Sequence, residues 1–112
     1  MLNEKIAYKT TVSTDTNGIK VVMYYETPIV IFNDDAIILY TGDWWTRTTK
    51  QRMNLVSRHF NLGFSIEGKG KEWMIHFADA EHPFSSPKVR LDKKTKEVVP
   101  LIIDENLHLN QD

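Results

Sequence analysis

The chain has 112 residues, 41% hydrophobic and 11% aromatic, enough to bury one modest core and too few for a second. Fourteen Lys and Arg against fifteen Asp and Glu leave a net charge of −1, which argues against coating nucleic acid or a membrane by bulk charge. The absence of cysteine excludes a disulfide framework and any thiolate metal site, and fits a reducing compartment.

From the amino terminus, KIAYKTTV at 5–12 alternates apolar and polar residues and reads as a strand. The TDTNG turn at 14–18 then leads into IKVVMYYE, so a first hairpin is expected across the Asn-Gly pair. After Pro28, IVIF and AIILY are joined through Asn33, Asp34 and Asp35, a polar turn between two runs rich in β-branched and aromatic residues. That is a second hairpin. From Thr48 the period changes: Met53, Val56 and Phe60 recur at i, i+3 and i+7, the mark of an amphipathic helix. Thr48 with Gln51 fits a capping box, and Gly63 a helix stop. FSIEGKGKEWMIHF at 64–77 reads as a third hairpin across Gly68, Lys69 and Gly70. ADAEHPFSSPK reads as loop, and VRLDKKTKEVVPLII as a strand pair across Lys93 to Lys96.

The order strands, helix, strands predicts a single α+β domain with its core at about 4–103. Its antiparallel sheet of five to seven strands carries one principal helix on one face. Met53, Val56 and Phe60 are expected to pack beside Ile31, Ile38 and Trp73, and the tail at 104–112 to fray. No apolar stretch approaches the roughly 20 residues of a membrane span, and the start MLNEKIAYKT lacks a signal-peptide h-region. Taken together, these features predict a soluble cytoplasmic protein.

Charge is segregated along the chain. Three cations face six carboxylates in residues 1–43, six face one in 44–71, and five face eight in 72–112. The positive segment contains TGDWWTRTTKQRMN at 41–54. With its surroundings at 35–75, this stretch resembles a group of small phage and mobile-element proteins of unknown function. They share a glycine–tryptophan turn, a T-x-T-T-K-x-R-M-N helix start, a glycine-containing exit and a strand with Glu-Trp. Here the run is carried by Thr46, Thr48, Thr49, Lys50, Arg52, Met53 and Asn54, with Gly63, Glu72 and Trp73 beyond it. Asp43 stands where a second glycine is common. The resemblance implies a phage origin and, through it, the cytoplasm of a bacterial host; no activity comes with it.

The candidate binding residues are Thr46, Arg47, Thr48, Thr49, Lys50, Asn54 and Arg58. They lie at the start and on the polar face of the helix, where unpaired N–H groups and four cations without a carboxylate suit a phosphate. Trp44 or Trp45 offers a ring for base stacking or an anchor for a protein partner. One tryptophan packed under the helix is the plain structural alternative. His76, Asp79, Glu81 and His82 match no strong metal spacing, so no metal or cofactor is expected. No hydrolase elbow, phosphate loop, zincin helix or cysteine nucleophile is present in the sequence, and the protein is expected not to be an enzyme. The expected function is therefore a non-enzymatic phage binding protein that contacts nucleic acid or a phosphate-bearing ligand through the basic helix. The alternative is an inhibitor of a bacterial host defence or regulatory protein, anti-CRISPR-like, with Asp34 and Asp35 as its acidic surface.

Overall fold

Runs of β-branched and aromatic residues cut by short turns pair with their chain neighbours, and the outcome is a meander. The computed structural model describes residues 3–101. Five strands come first: β1 (Asn3–Ala7), β2 (Thr10–Thr14), β3 (Lys20–Tyr24), β4 (Thr27–Phe32) and β5 (Ala36–Tyr40). The chain then leaves this sheet to form α1 (Arg47–Phe60) and a separate meander of β6 (Phe64–Lys69), β7 (Glu72–Phe77) and β8 (Ala80–Pro83). It returns as β9 (Lys88–Asp92), which pairs antiparallel with β5, followed by β10 (Val98–Pro100). The result is a seven-stranded sheet in the order β1-β2-β3-β4-β5-β9-β10 and a three-stranded sheet β6-β7-β8, both antiparallel where paired.

The protein is α+β as expected, and its large sheet has seven strands, within the five to seven predicted, but three further strands form a second sheet that was not expected, so the described residues hold ten. Two turns without glycine concealed two of the ten strands. The segment 5–12 is a hairpin rather than one strand, turning at Tyr8 and Lys9, with Lys9 at φ 52. The supposed loop after Phe77 is a hairpin turning at Ala78 and Asp79, φ 55 and 64. In both, ordinary residues occupy the left-handed conformation that glycine signals in a sequence. The end of the expected core and the 104–112 tail fall outside the described residues.

Strand alternation divides the large sheet between two apolar clusters. On one face Val22, Val30, Phe32, Ile37, Leu39, Val89 and Leu91 join Met53 and Val56 of α1 and Ile66, Trp73, Ile75 and Phe77 of the small sheet. On the other, Ile31, Ala36 and Ile38 form their own cluster with Ile19, Val21 and Leu101. Ile31 and Ile38 are thus not the helix's neighbours. Their positions under α1 belong to the alternate residues of the same strands. Phe60 is only partly buried, with its ring centroid 5.1 Å from that of Phe32. A bulge between β3 and β4 lets Val22 face Val30 while Met23 faces Pro28, so Ile29 is the extra residue and also reaches the main core. α1 touches β3 and β4 and runs along β6. Among the described residues no helix is long and apolar enough to cross a membrane.

Candidate functional site

The approach to α1 is set by a tight turn. Thr41 is buried; its carbonyl accepts the Trp44 N–H at 2.9 Å and its Oγ1 accepts the Asp43 N–H at 3.1 Å. Gly42 and Asp43 both take positive φ, 61 and 64. A Cβ on Gly42 would come within 3.0 Å of Thr27 Cγ2 and 3.4 Å of Trp44 Cδ1, so glycine is needed there for space as well as for conformation. The two tryptophans diverge. Trp45 packs on Trp73 and Phe84, with centroids 5.0 and 5.4 Å away, whereas Trp44 is 63% exposed.

Thr46 is the last extended residue and is the N-cap, in place of Thr48. Its Oγ1 accepts the Thr49 N–H at 3.2 Å and lies 3.0 Å from Thr49 Oγ1. Both pairs, 46 with 49 and 48 with 51, have capping spacing; the packing of partly buried Trp45 on Trp73 and Phe84, immediately before Thr46, favours ending the extended chain there. Thr48 is exposed in the first turn and Thr49 is buried. At the far end Asn61, φ 56, takes the left-handed position expected of Gly63, and the Leu62 N–H returns to the Ser57 carbonyl at 2.9 Å, a Schellman-type closure.

The polar face of α1 is not simply solvated. Lys50, Asn54 and Ser57, at i, i+4 and i+7, meet the edge of β6 that β7 does not pair. Lys50 Nζ donates to the Gly68 carbonyl and lies 5.9 Å from the Trp73 ring centroid. Asn54 donates to the Ile66 carbonyl at 2.9 Å and accepts its N–H at 2.7 Å. Ser57 donates to the Phe64 carbonyl at 2.6 Å and accepts its N–H at 3.1 Å. The helix side chains thus stand in for a neighbouring strand and close an edge that would otherwise be open. Asn54 is thereby withdrawn from the free surface, and Lys50 keeps its charge but has a backbone partner. Arg52 stacks on Tyr24, 5.5 Å from the ring centroid, and its buried Nε has no hydrogen-bond partner. Arg47 and Arg58 are exposed.

Two grooves flank the first turn of α1. The cationic one, about 460 Å³, is lined by Arg47, Lys50, Gln51 and Lys69, the Trp45 and Trp73 side chains, and Gly68 and Gly70. No lining residue carries a carboxylate. Exposed Lys71 lies beside Gly70 in the β6–β7 turn. The aromatic groove, about 370 Å³, is lined by Tyr24, Tyr25, Glu26, Thr27, Trp44 and Thr46 among others. Its exposed Tyr25 was not among the candidates; nothing in the spacing along the chain shows that it shares a groove with Trp44. A hydrogen bond with the Tyr8 hydroxyl is the leading cause holding the Tyr25 phenol above its ordinary pKa.

The acidic pair lies at the other end of β5. Asn33 Oδ1 accepts the N–H groups of Asp35 and Ala36 at 2.8 and 3.0 Å, forming the turn. Asp34 and Asp35 are exposed, and Asp35 pairs with Lys94 at 3.1 Å. This turn is mixed in sign. On the small sheet, His76 Nε2 meets Glu67 at 2.6 Å and its Nδ1 lies 3.8 Å from Glu81. The carboxylates approach opposite sides of the ring, and among the described residues no group of three His, Asp or Glu is placed to hold a metal ion.

A family model described as Kyanoviridae Gp96 protein matches residues 3–96. The chain belongs to this family of phage proteins. The Gp96 match takes in every element from β1 to β9 and both grooves beside α1. No curated protein and no solved structure matches the chain.

Proposed function

We propose that this Gp96 family member is a non-enzymatic phage protein of the bacterial host cytoplasm that holds a phosphate-bearing ligand, nucleic acid first, in the cationic groove beside α1. The observation that supports this reading is the make-up of that groove. In a chain of net charge −1, Arg47, Lys50 and Lys69 converge on one concavity with no carboxylate among its lining residues. Walls formed by two indoles lower the local polarity and strengthen the field of those cations. Thr48 stands exposed in the same first turn, and Arg58 extends the positive charge toward the end of the helix.

Fluorescence anisotropy with labelled oligonucleotides over a salt series tests the reading. Binding should weaken steeply with salt, because each neutralised phosphate releases counterion. Combined Arg47→Ala, Lys69→Ala and Lys71→Ala substitution should remove most binding and flatten the log–log salt slope by about 0.7–0.9 for each phosphate no longer neutralised. Lys50 is left in place because it ties α1 to β6. Absence of salt-sensitive binding would count against the reading. A nuclease-resistant protein partner, released on charge reversal at Asp34 and Asp35, would then favour the host-protein inhibitor. That reading stands second because Lys94 offsets Asp35.

A further inference from the structure

Among the described residues, three of the four large apolar side chains that stand exposed are aromatic: Tyr8 at 60%, Tyr25 at 57% and Trp44 at 63%. They are not scattered. Tyr25 and Trp44 line one groove, and Tyr8 meets Tyr25 edge-on with centroids 6.4 Å apart. Isolated exposed apolar residues are ordinary, but clustered ones lining a cavity mark a binding surface.

Two backbone turns set where these rings stand. The Trp44 main chain is placed by its N–H on the Thr41 carbonyl, in a turn so tight that a Cβ on Gly42 would come within 3.4 Å of Trp44 Cδ1. Tyr25 sits in the two-residue β3–β4 turn at φ 54, a conformation that favours glycine. Two-residue hairpin turns call for this conformation, as at Lys9 and at Ala78 and Asp79, and here it sets the Tyr25 ring at the groove with more than half its surface exposed.

The groove's chemistry narrows its ligand. Its lining combines three aromatic residues with four threonines, and Glu26 is its one carboxylate. A carboxylate repels phosphate but accepts from an exocyclic amino group, so the groove suits a base and not a backbone. Arg52, stacked on Tyr24, adds a cation behind the ring. Across the first turn of α1, with Thr46 and Thr49 on one side and Arg47, Lys50 and Gln51 on the other, lies the cationic groove. A helix is about 10–12 Å across with its side chains, so one strand crossing this turn can engage both.

We infer that the ligand is single-stranded nucleic acid, with phosphates in the cationic groove and an unstacked base held by Trp44 and Tyr25. This rests on the proposed phosphate reading and adds the form of the nucleic acid. A duplex keeps its bases paired and stacked and presents no free ring to the aromatic groove.

The test compares a 12-nucleotide DNA strand with its blunt duplex, read by anisotropy at two salt concentrations and by tryptophan fluorescence, with circular dichroism confirming folding. The strand should bind at least ten-fold more tightly than the duplex and quench tryptophan emission. Trp44→Ala and Tyr25→Gly should each weaken single-strand affinity by roughly 5- to 150-fold, the range of one stacked base. The salt slope and duplex affinity should stay unchanged, Trp44→Phe should restore much of the affinity, and Tyr25→Gly should keep the melting temperature at least at the parent value. Equal binding of strand and duplex with both aromatic variants silent overturns the inference and leaves the phosphate reading standing. No binding of either form at low salt overturns both.

Discussion

Thr46 and Thr48 have the same side chain, two residues apart, yet the structure gives them different work. Thr46→Ala should destabilise the protein by about 1 kcal/mol through loss of the cap, while Thr48→Ala, on an exposed side chain, should change stability by no more than a few tenths. Urea denaturation of the two variants checks both. A larger effect at Thr48 would return the cap to the position its spacing with Gln51 suggested. The sequence could not choose between the pairs, because the choice depends on Trp45 meeting Trp73 and Phe84, partners far along the chain. The divergence of the tryptophans was legible as an alternative, since adjacent extended residues point to opposite faces.

For α1 as an element, the apolar stripe through Met53 and Val56 was readable from its period, but the destination of the opposite stripe was not. Lys50 and Asn54 read as a solvated or ligand-facing surface, whereas with Ser57 they complete the edge of β6. Nothing local encodes which strand edge a helix will meet. Asn54→Ala should leave the N–H and carbonyl of Ile66 unpaired and cost on the order of 1–3 kcal/mol; hydrogen exchange should show the Ile66 amide becoming less protected. The β9–β10 turn offers a pH test. Asp92 accepts the N–H groups of Lys94 and Thr95 at 2.8 and 2.9 Å, and these backbone donors, Thr95 first, hold its carboxyl below the ordinary value. A depressed folded pKa contributes stability above the unfolded value, near ~3.9, and that stability is lost as pH falls through the folded pKa. Denaturation of the protein and of Asp92→Asn should therefore differ above about pH 4 and converge in stronger acid. A constant gap would contradict the assignment.

At the scale of the whole molecule, one core joins α1 and the small sheet to the large one, so damage at its centre should be global. Met53 is fully buried in it, and Met53→Ala should cost about 2–5 kcal/mol, a large part of the stability of a domain this size. Partly buried Phe60 should cost less. The α+β class and the hairpins with Asn-Gly or glycine turns were readable from local chemistry, while the turns at Lys9 and at Ala78–Asp79 were hidden because no glycine marks them. The charge segregation toward residues 44–71 was equally visible. How those cations divide between a seam, a ring contact and a groove depends on tertiary packing. Whether the cationic groove holds phosphate is decided by the salt dependence of oligonucleotide affinity, measured on the protein and on its folded Arg47→Ala, Lys69→Ala, Lys71→Ala variant. The parent should bind strongly at low salt and release steeply as salt rises, and the variant should bind weakly with a shallower slope. Identical slopes and affinities for the two proteins would rule the groove out as the phosphate site.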